Sequence, residues 1–114
     1  MNISKQIVMQ HLQAKVDEGY SQKDIAKHLG FPNPNFVSML MSEKYPKTLL
    51  SMNRLKAFAS FCNLTAMETL RFAIARIADS GDAPLELSKS TMLWLFRVFG
   101  EALKARIHAS GAGA

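Results

Sequence analysis

Asn33, Asn35 and Ser38 place two carboxamides and a hydroxyl within a few residues, and Met41 adds a soft apolar tip one helical turn further on. A carboxamide presents a donor and an acceptor at fixed spacing, the complement of the N6 and N7 edge of adenine. A serine hydroxyl suits several bases, and a methionine terminus suits the 5-methyl of thymine. Asn33 has a second use as a helix cap, and residue type alone does not separate the two roles. Cations surround these groups. From Ser21 to Lys56, six bases (Lys23, Lys27, Lys44, Lys47, Arg54 and Lys56) face only Asp24 and Glu43, a local balance of +4 in a chain of net charge +5. Charge concentrated beside small polar side chains fits a polyanionic partner, double-stranded DNA. Lys23, Lys27, Lys44 and Lys47 are candidate phosphate contacts. A merely solvated basic face is the alternative, and it weighs most on Lys23 and Lys27.

These groups need a helix to carry them, and Ser21 to Met41 reads as two short helices around a tight turn. Ser21 caps the first, with Asp24 three residues on, and Ile25, Ala26 and Leu29 form its inward face. Ala26 is small where a second helix crosses closely. Gly30 follows the last apolar residue, where a left-handed cap is required. Asn33 then offers a cap, and Pro34 falls at the first helical position, where a missing N–H costs nothing. Phe36, Met39 and Leu40 recur at i, i+3 and i+4 and are expected to dock this second helix. That phase leaves Asn35, Ser38 and Met41 outward. The layout is a helix-turn-helix, in which the second helix enters the major groove.

The spacing resembles the phage-repressor-like helix-turn-helix family, also known as the Cro-type or xenobiotic-response-element family. Its first helix opens on Ser or Thr followed by Gln, as Ser21 and Gln22 do here. Ala26, Gly30, Phe36 and Met39 match its small residue, turn glycine and two buried recognition-helix positions. The resemblance runs to about Ala75, roughly two thirds of the chain. Prolines on both sides of Asn33 depart from it, since most members carry small polar residues there. The resemblance implies that Gln22 contacts a phosphate while bracing the recognition helix. It also implies that Lys44, Tyr45 and Lys47 grip the flanking DNA backbone.

The remaining chain reads as helices alone. The first runs from about Ser4 to Glu18 with Ile7, Val8, Leu12 and Val16 inward. A fourth runs from about Met52 to Phe61, and Thr65 with Glu68 opens a fifth through Met67, Leu70, Phe72, Ala73 and Ile77. Ser80 to Pro84 is the clearest break. The fold class is therefore all-α: a five-helix lambda-repressor-like domain over 1–79 and a long additional helix over 85–108, capped by Ser88 or Ser90, with a disordered tail over 109–114. The apolar arc of the long helix is wider than one small domain needs. It either completes the core or forms a homodimer interface through Met92, Leu95, Phe96, Phe99 and Leu103.

Other chemistry is poorly represented. His11, His28 and His108 are scattered without metal-ligand spacing, and no nucleophile or Gly-rich phosphate loop is present, so no enzyme, metal or cofactor is expected. Cys62 is the only cysteine and reads as a buried small hydrophobe. No apolar run is long enough to span a membrane and no export signal is apparent, so a cytoplasmic location is expected, with neither a membrane nor a small-molecule ligand as partner. The expectation is a sequence-specific transcriptional regulator, a repressor and possibly autoregulatory, on a pseudo-palindromic operator. The competing expectation is a protein-interaction module, an antitoxin or adaptor that uses the C-terminal helix.

Overall fold

A computed structural model describes residues 2–109, and the chain is all-helical over them. Helix α1 spans Ile3–Asp17, α2 Gln22–Leu29, α3 Asn35–Leu40, α4 Leu55–Phe61, α5 Ala66–Asp79 and α6 Lys89–Ala109, with a 3-10 turn at Met52–Arg54 leading into α4. The two anticipated caps form. Ser21 Oγ accepts from the Asp24 N–H while Asp24 accepts from the Ser21 N–H, and Thr65 and Glu68 repeat the exchange at α5. Each box satisfies two N–H groups that a helix start leaves without partners. Ser88 rather than Ser90 caps α6, its hydroxyl accepting from the Thr91 N–H.

One core joins the first five helices. Val8 and Leu12 of α1 meet Ile25, Ala26 and Leu29 of α2, Val37 and Leu40 of α3, Leu55 and Phe58 of α4, and Phe72 and Ala73 of α5. The α1 phase is met, with two additions: Ser4 and Lys5 are buried as well, each only 1% exposed. Helix α5 turns Thr69, Phe72 and Ala73 to the core and leaves Ile74 and Ile77 exposed. The long helix is not a separate body. It packs along α5 through Thr91, Val98 and Ala102, and the Ser88 N–H bonds Asn53. Beyond Ala102 the residues 103–108 are all exposed. A helix of 21 residues is about 30 Å long against about 21 Å for α5, so its end projects. The radius of gyration, 15.0 Å, accordingly exceeds the about 13 Å of a compact chain of this length. The expected tail over 109–114 lies, apart from the helical Ala109, outside the described residues.

Candidate nucleic-acid interface

The turn between α2 and α3 is built from named contacts. Gly30 is left-handed, φ 80°, and the Phe31 N–H returns to the Ala26 carbonyl at 2.8 Å. A side chain at Gly30 would be strained twice over, since a Cβ would lie 2.9 Å from Arg54 Nη1. That nitrogen donates to the carbonyls of Leu29 (2.9 Å) and Gly30 (2.8 Å), a cation closing the C-terminal end of α2. The Arg54 guanidinium also covers the Phe31 ring at 4.3 Å, and Phe31 meets Phe36 with centroids 4.9 Å apart.

Helix α3 is held at both ends. Asn33 Oδ1 accepts from the Asn35 N–H at 3.0 Å, so its carboxamide oxygen is used as a cap. At the other end Lys5 Nζ donates to the carbonyls of Met39 (3.0 Å), Leu40 (3.2 Å) and Thr48 (3.2 Å). Burial lowers the Lys5 pKa, while three carbonyl dipoles at a helix C-terminus give its ammonium a set of acceptors. Sequence reasoning missed both Lys5 and Arg54. Lys5 had a signal: it keeps the i, i+3, i+7 phase of the buried Val8 and Leu12.

The phase of α3 differs from expectation. Val37 and Leu40 are buried, whereas Phe36 is 38% exposed and Met39 only half-buried. The regular helix starts at Asn35, one residue after the expected Pro34, whose carbonyl accepts the first helical bond from the Ser38 N–H. The buried set, Val37 and Leu40 with half-buried Met41, lies one residue on from the expected Phe36, Met39 and Leu40, about 100° around the helix, which leaves Phe36 against the Phe31 ring. Met41, expected outward, is half-buried against the core and lines a depression with Met9, Gln10 and Ala14 of α1. Asn33, Asn35 and Ser38 are exposed as expected. The outer face of α3 thus carries Asn35 and Ser38 with Phe36 and Met39 in place of Met41. An open cleft of about 550 Å³ lies beside it, lined by Phe31, Phe36, Met39, Leu49 and Arg54 among others.

The candidate phosphate contacts are all exposed: Gln22, Lys23 and Lys27 on α2, and Lys44, Tyr45 and Lys47 in the segment after α3. Among the described residues none of these four lysines forms an ion pair; the pairs that do form are Lys15–Glu18 and Lys104–Glu101. Lys47 lines a second cleft with Asn2, Arg76 and Asp79, adjoining the first through Leu49 and Ser51. His28 is engaged elsewhere, stacked on Phe61 at 4.3 Å with Tyr20 edge-on to both rings. Among the described residues no group of three His, Cys, Asp or Glu side chains could hold a metal ion, and no helix is long and apolar enough to cross a membrane.

On α6 the candidate interface residues divide. Met92, Phe96, Phe99 and Leu103 are exposed, Phe96 by 67% and Phe99 by 53%. Leu95 is a correction: it is half-buried and packs on the core, because it shares the face of Thr91, Val98 and Ala102. Leu93 and Ile107 extend the exposed stripe. Comparison with protein-family models, with curated proteins and with solved structures finds no match for this chain.

Proposed function

We propose that this chain is a sequence-specific DNA-binding regulator of the lambda-repressor-like helix-turn-helix type, acting as a repressor from a two-fold operator. The observation that carries the reading is α3 itself. It is a short helix pinned at its start by Asn33 and at its end by Lys5, and it exposes Asn35 and Ser38 beside cations without ion pairs. Asn35 and Ser38 read base edges, and the free donor of Asn33 assists. Gln22, Lys23, Lys27, Lys44, Tyr45 and Lys47 hold phosphates on either side. The α6 stripe pairs two copies, which sets two α3 helices roughly 34–36 Å apart in successive major grooves. Occupancy of the site then blocks transcription, the chain's own promoter included.

Selection of bound duplexes from a random DNA pool tests this directly. A two-fold motif is expected, with affinity falling steeply as salt rises and a shallower slope once Lys44 and Lys47 are replaced by Ala. Failure to enrich any sequence, with no duplex binding at low salt, overturns the proposal. The exposed Phe96 and Phe99 favour a second reading, an antitoxin or adaptor whose α6 binds another protein. A monomer by light scattering that also ignores DNA favours that reading.

A further inference from the structure

We infer that Phe36, with Met39 beside it, reads the 5-methyl group of a pyrimidine in the major groove. The inference rests on the DNA reading above and names a specificity determinant within it. Phe36 is the exposed aromatic of α3, directly after Asn35, and its ring is not loose. It rests against Phe31 at 4.9 Å, Phe31 lies under the Arg54 guanidinium at 4.3 Å, and Arg54 is itself bonded to the Leu29 and Gly30 carbonyls. A ring fixed by this stack loses little rotamer freedom on contact, so most of the gain from covering a methyl group is kept. Met39 lines the same open cleft and adds an adaptable apolar surface. Asn35 next to Phe36 suits an adenine beside a methylated pyrimidine, because a carboxamide matches adenine N6 and N7 while an apolar group matches the methyl. Met41 cannot serve, being turned toward α1. The same methyl occurs on thymine and on 5-methylcytosine, and the two are separable.

The test uses the full chain and its selected duplex. Deoxyuridine replaces thymidine one position at a time, and 5-methylcytosine replaces cytosine in a parallel set. Losing one methyl per half-site should weaken wild-type binding roughly threefold to tenfold. Gaining one by the same margin at a cytosine would instead identify 5-methylcytosine as the source. Phe36→Ala should bind the methylated and unmethylated duplexes within twofold of each other, and Phe36→Leu should retain part of the preference. Should Phe36→Ala fail to fold, the wild-type scan and Phe36→Leu decide. Wild-type indifference to every methyl, or an undiminished preference in the Phe36 variants, overturns the inference while leaving the operator reading intact. Binding to no duplex at all removes both.

Discussion

Lys5 links α1 to the C-terminal end of α3, and its chemistry makes the position hard to replace. Its Nζ serves three carbonyls, and the side chain is buried to the level of the core leucines. Lys5→Ala removes the cation, leaves those carbonyls without their donor and opens a cavity. A loss of about 3 kcal/mol or more is expected in urea unfolding, with Lys5→Met recovering only the packing part. Burial pushes the Cys62 thiol up from its ordinary value to about 11. A folded-state pKa above the unfolded one means stability is complete below about pH 9 and is lost as pH rises toward 11. The loss should be about 1–2 kcal/mol after allowance for partial exposure. Cys62→Ala should lack it in otherwise parallel denaturation curves. Iodoacetamide should label native Cys62 slowly at pH 8 and rapidly once the chain is unfolded.

At the scale of elements, the phase of α3 is open to direct measurement. Leu40→Ala truncates a buried contact and should cost about 2–5 kcal/mol. Phe36→Ala should cost less, about 2 kcal/mol from its part-buried ring and its contact with Phe31. Equal losses in melting curves would mean that Phe36 is a core residue after all. The start of α5 carries an acid-sensitive element. The Thr65 backbone N–H holds the Glu68 carboxyl below its ordinary range. Here the folded pKa is depressed, so the stabilisation is present above the unfolded value and disappears as pH falls through the folded one. Glu68→Gln keeps an acceptor for the capping box but cannot titrate. Its melting temperature should therefore fall less than that of wild type between pH 5 and pH 2, on the order of the range where carboxylates protonate.

For the whole molecule the decisive feature is α6, which shows the core one face and solvent another. Val98 and Ala102 are buried while Phe96, Phe99 and Leu103 are exposed. Phe96→Glu and Phe99→Glu place charge on the outer stripe and should leave the melting temperature nearly unchanged. If the stripe pairs two copies, both variants should be monomeric by light scattering and lose operator affinity. Leu95→Ala should behave in the opposite way, lowering stability by about 2 kcal/mol or more while retaining the oligomeric state. Variants that remain oligomeric with the stripe charged would place any self-association elsewhere on the surface.

The sequence by itself determined what depends on neighbours along the chain. Both capping boxes, the left-handed Gly30 and the six helices were legible because each rests on contacts a few residues apart, while Asn33 as cap or reader and Ser88 or Ser90 as the α6 cap stayed open. The exposure of Asn35 and Ser38 was legible for the same reason, small polar residues having little reason to be buried. What only the tertiary structure decided involves partners distant in sequence or the rotation of one helix against others. Lys5 meets carbonyls 34 to 43 positions away, and Arg54 meets those 24 and 25 positions away. Four helical residues, Phe36, Val37, Met39 and Leu40, are apolar in close succession, so periodicity permitted two phases a residue apart. The proline-bounded turn and the Arg54–Phe31–Phe36 stack selected one of them. On α6 the apolar arc was plain in the sequence, but only its packing against α5 separated Leu95 from Phe96, because a helix wider in its apolar face than its neighbour must leave one edge uncovered.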